Sequence, residues 1–173
     1  MISIQLFKEL CGSILDIGGG GEGIIGRIYG AQVTAIDNRQ EELDEAPDGF
    51  EKRLMDATEL RFADLSFQHV TSFFTLMFMD EATQRAAIRE AARVLRHGGR
   101  LHIWDADIIS AFPQPFLIDL CIDAAGQRIC TTYGVGKLDA QSAESLSAFC
   151  LENGLRLLKH EAFDGCFHLV WEK

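Results

Sequence analysis

The sequence predicts an α/β fold in which a largely parallel sheet is covered on both faces and finished by an antiparallel hairpin. Three observations predict it. Short apolar runs alternate with helix-period segments through the first two thirds of the 173 residues, the rhythm of strand–helix–strand units. A glycine-rich turn, LDIGGGGEG at 15–23, joins the first apolar run to the first helix. Near the C-terminus, Asp164-Gly165 separates two strand-like segments, a strong signal for a two-residue hairpin loop.

SILDI (13–17) reads as a strand and EGIIGRIY as the helix that opens on the glycines. QVTAID (32–37) is a second strand, followed by the acidic helical stretch RQEELDEA. FEKRLM (50–55) and HVTSFFTLMF (69–78) read as the third and fourth strands. In DEATQRAAIREAARVLR (80–96), Ala82, Ala86, Ile88, Ala91, Val94 and Leu95 recur at helical steps, and Gly98-Gly99 ends the helix. RLHIWD (100–105) is the fifth strand. FLIDLCIDAAGQRICTTYGV (116–135) reads as a hairpin folded at Ala124–Gln127. DAQSAESLSAFCLENG (139–154) is a helix with Asp139 as N-cap and Gly154 as its stop. The whole chain, 1–173, is expected to form a single domain with a β-hairpin insert at 106–137.

Composition narrows the partners. Sixteen basic against 26 acidic side chains give a formal charge of −10, which repels a phosphate backbone, so no nucleic-acid partner is expected. FFTLMFM (73–79), the longest nearly unbroken apolar stretch, is too short to span a bilayer. MISIQLFKEL carries no basic segment leading into a long apolar one, so a cytoplasmic location and no membrane partner are expected. The five cysteines include no CxxC pair and read as reduced core thiols. The hairpin register places Cys121 opposite Cys130 and Asp123 opposite Arg128, and the two thiols read as packing. No His/Cys cluster has metal-ligand spacing, and no metal is expected.

The glycine turn poses the functional question. Gly18, Gly20 and Gly23 satisfy G-x-G-x-x-G, and Asp37 follows about twenty residues on, which alone would suit a dinucleotide. Asp16, two residues before Gly18, would repel a pyrophosphate and suit a cationic group. Backbone N–H groups of the turn and the helix start could hold a carboxylate. A ligand with an amino-acid end, a ribose and no phosphate fits this set better than NAD does.

Four stretches carry a family resemblance: ILDIGGGGEG (14–23), VTAIDNR (33–39), MDATEL (55–60) and FFTLMFMDEATQRAAIREAARVLRHGGRLHIWD (73–105). Over nearly its whole length the sequence resembles the class I S-adenosylmethionine (SAM)-dependent methyltransferases. The resemblance implies a Rossmann-like methyltransferase fold, a three-layer sandwich around a seven-stranded sheet whose seventh strand is antiparallel. It implies SAM as cofactor, S-adenosylhomocysteine as product and methyl transfer to a small-molecule acceptor. By the same resemblance, Asp16, Gly18 and Gly20 would line the methionine end of SAM. Asp37 would accept hydrogen bonds from both ribose hydroxyls, and Asn38 would lie beside the adenine. Asp56 would receive the adenine amino group, Ala57 the ring edge, and the Phe73 carbonyl the ammonium. The family commonly has glycine where Glu22 stands, and Gln68 replaces the usual aspartate before the fourth strand.

No catalytic residue is assigned; Asp105, Asp107 and Tyr133 are candidates near the ligand-binding edge of the sheet. The 106–137 insert is the candidate acceptor wall or oligomer contact, in a possible homodimer. Excision of 112–135 is then expected to spare SAM binding. Two other functions compete with methyl transfer: a catalytically silent SAM-binding module, and an NAD-dependent oxidoreductase.

Overall fold

The computed structural model describes residues 1–109, 112–124 and 126–173. Its strands are β1 (Ile2–Leu6), β2 (Ile14–Ile17), β3 (Val33–Asp37), β4 (Glu51–Leu54), β5 (Phe67–Phe73), β6 (Leu95–Ala106), β7 (Phe116–Ala124), β8 (Gln127–Val135), β9 (Arg156–Phe163) and β10 (Cys166–Glu172). The helices are α1 (Ile24–Tyr29), α2 (Gln40–Glu45), α3 (Glu81–Val94) and α4 (Ala143–Glu152).

Seven strands form the main sheet in the order β4-β3-β2-β5-β6-β10-β9. β10 runs antiparallel to both its neighbours, β6 and β9, whereas β2, β3, β4, β5 and β6 pair in parallel. The strand order reverses direction at β2 and β5, which opens a crevice beyond their C-terminal ends.

Period-two alternation gives the sheet two buried faces. Leu15, Val70, Leu101 and Ile103 pack on one side with α3 and α4. On the other side Ile14, Phe73 and Trp104 meet α1 and a second, three-stranded sheet of order β1-β7-β8. β1 lies outside the strands expected from the sequence; it pairs in parallel with β7, Ile2 opposite Leu120 and Leu6 opposite Ala124. One outer layer is therefore partly β, and Ile118, Leu120 and Ile122 of β7 are core residues.

Several expected boundaries move for local reasons. The fourth strand stops at Phe73, because Phe74 takes a left-handed φ of 50° and Leu76–Phe78 coil into a 3-10 turn. α3 ends at Val94 rather than at the glycines, since Leu95 is already extended and pairs with Phe67. Gly98 and Gly99 lie inside β6 and exchange backbone hydrogen bonds with Lys173. The N-cap of α4 is Ser142, three residues later than the cap expected at Asp139: Ser142 and Ser145 form a reciprocal capping box, an arrangement worth about 1 kcal/mol. Asp139 instead accepts the backbone N–H of Glu81 at 2.9 Å, beside the true α3 cap, Asp80.

Both hairpins form. Asp164 and Gly165 have φ of 47° and 75°, the paired positive values of a type I′ turn. In the β7–β8 hairpin Cys121 faces Cys130 and Asp123 faces Arg128; its turn residue Ala125 lies outside the described residues. The reading of all five cysteines as free thiols is corrected here. Direct opposition brings the two Cα atoms to 4.1 Å, and Cys121 and Cys130 are joined in a disulfide. Cys11, Cys150 and Cys166 are free. No helix among the described residues is long and apolar enough to cross a membrane.

Candidate functional site

A cleft of about 1050 Å³ opens at the C-terminal ends of β2, β3 and β5, where such sheets bind ligands. Gly18, Gly20, Asp37 and Asn38 line one part of it, and Asp56, Ala57 and Phe73 another. Seven of the eight residues chosen from the sequence thus face one cavity. The eighth, Asp16, is buried beneath the glycine turn and lines a smaller cavity adjoining it.

The turn is held from both sides. Gly18 and Gly19 donate their N–H groups to the Ile36 carbonyl, Gly21 donates to Glu42, and Gly23 donates to Gly20. Four of the turn's amides are therefore spent inside the protein, and α1 behind it has only six residues. This is a poor cradle for phosphate oxygens, and it also narrows the amide set expected to hold a ligand carboxylate. Gly18 is required twice over. Its φ is 72°, and an added Cβ would lie 2.2 Å from Thr75 Cγ2. At Gly20 a Cβ would stand 2.9 Å from Asp37 Oδ2 and 2.6 Å from Glu42 Cβ, so glycine keeps this end open.

Charge around the turn is negative. Asp16 Oδ1 accepts the Thr71 hydroxyl at 2.6 Å, and burial pushes its carboxyl up to about 7, with nearby Asp37 adding to the rise. Asp37 ends β3 with Oδ1 accepting the Arg39 N–H at 3.1 Å. Asp56 Oδ1 accepts the N–H and hydroxyl of Thr58, each at 2.8 Å, which holds its carboxyl below the ordinary value. The Phe73 carbonyl already accepts one bond, from the Thr75 hydroxyl at 3.2 Å, and keeps a second lone pair. Glu22, Asp37 and Glu42 line the cleft, with Arg39 and Lys137 also on its wall, and Asp16 lines the small cavity beside it; the acids gathered at the turn favour a cation there and disfavour a pyrophosphate.

The far wall is aromatic. Phe74 stacks on Tyr133 with ring centroids 6.0 Å apart and planes 26° apart, and Phe78 meets the same ring edge-on at 6.3 Å. Strand β8 supplies this wall, and it is tied to the glycine turn. The Thr131 and Tyr133 hydroxyls both donate to the Glu22 carboxylate, Tyr133 at 3.1 Å. The sequence marked Glu22 only as a departure from the family pattern; its two partners lie more than a hundred residues away.

Of the three catalytic candidates, only Tyr133 lines the cleft. Asp105 is fully buried and clamped, accepting from Gln141 Nε2 at 2.7 Å, from the Ala106 N–H at 2.9 Å and from the Met77 N–H at 3.2 Å. Asp107 accepts the Ala143 N–H at 2.9 Å and so holds the start of α4.

Comparison with known proteins agrees with this geometry. Residues 15–103 match the family model described as "Methyltransferase domain". The chain is 30% identical over 158 residues to O-methyltransferase resE of Aspergillus sclerotiorum, covering 84% of this chain and 55% of that protein. It is 32% identical over 126 residues to O-methyltransferase cnsE of Penicillium expansum, covering 66% of this chain and 44% of that one. The chain thus spans about half the length of the curated relatives it matches. Among solved structures, a SAM-dependent methyltransferase from Methanosarcina mazei superposes with a TM-score of 0.67 at 17% identity, over 93% of this chain and 92% of that one. The matched family model covers β2 through most of β6, the glycine turn and the strand-end acids included; the chain belongs to the class I SAM-dependent methyltransferases.

Proposed function

We propose that this chain binds SAM in the cleft and transfers its methyl group to a hydroxyl oxygen of a small, largely apolar acceptor. The observation that carries the proposal is the continuity of one cavity. It runs from Asp37 and Asp56, beside the glycine turn, to the aromatic wall of Phe74, Phe78 and Tyr133. The O-methyltransferase activity named for the two fungal relatives supports oxygen as the accepting atom.

The residues present suit the cofactor. Gly20 leaves open the space that a side chain would fill against Asp37, and the carboxylates favour a cationic ligand over a phosphate ester. When bound, SAM supplies an activated methyl group on a positively charged sulfur. Asp37 holds the ribose hydroxyls, Asp56 the adenine amino group, and the Phe73 carbonyl the ammonium. Ala57 leaves room for the ring, and Asn38 borders it. Asp16 balances positive charge from below the turn. Phe74, Met77, Phe78 and Tyr133 exclude water and orient the acceptor, and alignment of this kind supplies a large part of the acceleration in methyl transfer.

The test is transfer of labelled methyl from SAM to a panel of hydroxylated aromatic compounds, with matched amines and thiols. Labelled methyl ethers are the expected product. Label only on nitrogen or sulfur contradicts the oxygen assignment, and SAM binding with no label on any acceptor contradicts the proposed activity.

A further inference from the structure

We propose that Glu22 is the group that takes the proton from the acceptor, and that the acceptor is a neutral phenol-type molecule seated against the Phe74–Phe78–Tyr133 wall. The inference rests on the proposed SAM site and extends it to the other reactant. Three observations meet at Glu22.

First, its side chain stands where both cavities join: it lines the main cleft and also the small one beneath the turn that holds Asp16. Its carboxylate therefore belongs to a residue of the same cleft as the aromatic wall. Second, the carboxylate is held by two hydroxyl donors, Thr131 on one oxygen and Tyr133 on the other at 3.1 Å. Each carboxylate oxygen has capacity for a further bond, so the pair fixes orientation without using up the acceptor capacity. The Tyr133 hydroxyl is itself held neutral, as burial and the Glu22 charge both oppose its ionisation. Third, the part of the cleft beyond Glu22 has an aromatic wall of Phe74, Phe78 and Tyr133, with Phe78 and Leu138 exposed and Thr83, Lys137 and Asp139 among the polar residues that line the same cleft. Such a wall suits a flat aromatic body better than a sugar or a charged metabolite.

The balance of the step is simple. As the acceptor oxygen forms its bond to the methyl carbon, the acceptor O–H bond breaks and its electron pair stays on oxygen. The proton passes to a Glu22 oxygen, and the pair of the cleaved carbon–sulfur bond remains on sulfur. One positive and one negative charge are cancelled together. Thr131 and Tyr133 are positioning residues in this scheme, and Glu22 touches the reacting proton.

The experiment uses para-nitrophenol as the probe, titrated onto the full chain saturated with S-adenosylhomocysteine, with the phenolate followed by its visible absorbance as pH is raised. A carboxylate facing the phenol opposes its ionisation, so the bound probe should titrate about one unit above the free compound. Glu22→Gln, which keeps the shape and both hydroxyl partners, should bring the midpoint back by about one unit. Tyr133→Phe, which leaves Glu22 in place, should keep most of the rise. Equal midpoints in wild type and Glu22→Gln, a loss of the rise in Tyr133→Phe alone, or no probe binding to the complex would each overturn the proposal. Failure of S-adenosylhomocysteine to bind the wild-type chain, read separately by calorimetry, would instead remove the cofactor site on which the proposal stands.

Discussion

Thr71 of β5 donates its hydroxyl to Asp16 of β2 at 2.6 Å, beneath the glycine turn. Both side chains are buried, at 0% and 2% exposure. Burial raises the Asp16 carboxyl from 3.8 to about 7, so the folded chain holds a proton there that the unfolded chain has lost. The associated stability is complete below 3.8 and is lost as pH rises through about 7. Asn still accepts the Thr71 bond and carries no charge. Asp16→Asn is expected to be more stable than wild type at pH 8, by about 1 kcal/mol, with the gap closed or reversed at pH 4. Urea unfolding at the two pH values measures it, and a gap of the opposite sign would contradict it.

The same carboxyl links binding to protons. A cationic ligand above Asp16 favours its ionised form, so SAM binding near pH 7 should release a proton. Calorimetric binding enthalpies in buffers of different ionisation heat should then differ, and Asp16→Asn should remove the difference. Identical enthalpies for the wild type across buffers would place the cation elsewhere.

On the α1 side of the main sheet, His102 stacks on Trp104 and His168, and His69 lies 5.8 Å from His102. Burial lowers His102 to about 3, with His168, His69, Arg100 and Lys159 adding to the shift; burial lowers His168 to about 4, with Lys159 adding and Glu161 opposing. Here the unfolded chain binds the protons, so stability is lost as pH falls from 6.5 towards 4, the reverse of the Asp16 effect. His102→Phe keeps a ring in the stack and removes a titrating site. Its stability should fall less steeply than that of the wild type between pH 6.5 and 4; an unchanged slope would exclude His102 as a source of acid lability.

Gln141 reaches from the segment before α4 to Asp105 in β6 and also donates to the Ala106 carbonyl at 2.8 Å. Gln84 of α3 donates to its side-chain oxygen. Gln141→Ala strands buried polar groups on two elements and should cost about 1–3 kcal/mol. Thermal or urea unfolding checks it, and a change within 0.5 kcal/mol, the usual range of surface substitutions, would show the cluster to be dispensable.

What the sequence revealed and what it hid divide along physical lines. The glycine turn, the strand-end acids Asp37 and Asp56 and the Asp164-Gly165 hairpin are local patterns, and all three were readable. β1 was not: ISIQL alternates as a strand should, but its partner β7 lies more than a hundred residues away. The hairpin register put Cys121 opposite Cys130, yet an argument from compartment outweighed the geometry that joins them. Asp105 and Asp107 stood at the correct edge of the sheet and proved to be structural clamps, because a carboxylate's partners in space do not appear in its neighbours in sequence. The β7–β8 hairpin, read as a removable insert, contributes Ile118, Leu120 and Ile122 to the core. Excision of 112–135 is now expected to unfold the chain, and point substitutions on β8 replace it as the test of the acceptor wall.

Asp37 carries the ribose assignment. Loss of a two-pronged, charge-assisted hydrogen bond in Asp37→Ala should weaken SAM binding at least tenfold, about 1.4 kcal/mol or more. Isothermal titration measures it, and an unchanged affinity would remove Asp37 from the site.

The most direct measurement is a paired calorimetric titration of the wild-type chain with SAM and with NAD. With four turn amides engaged inside the protein and acids around the cleft, SAM should bind at one site per chain and NAD should give no saturable heat. Saturable NAD binding with SAM excluded would contradict the central claim.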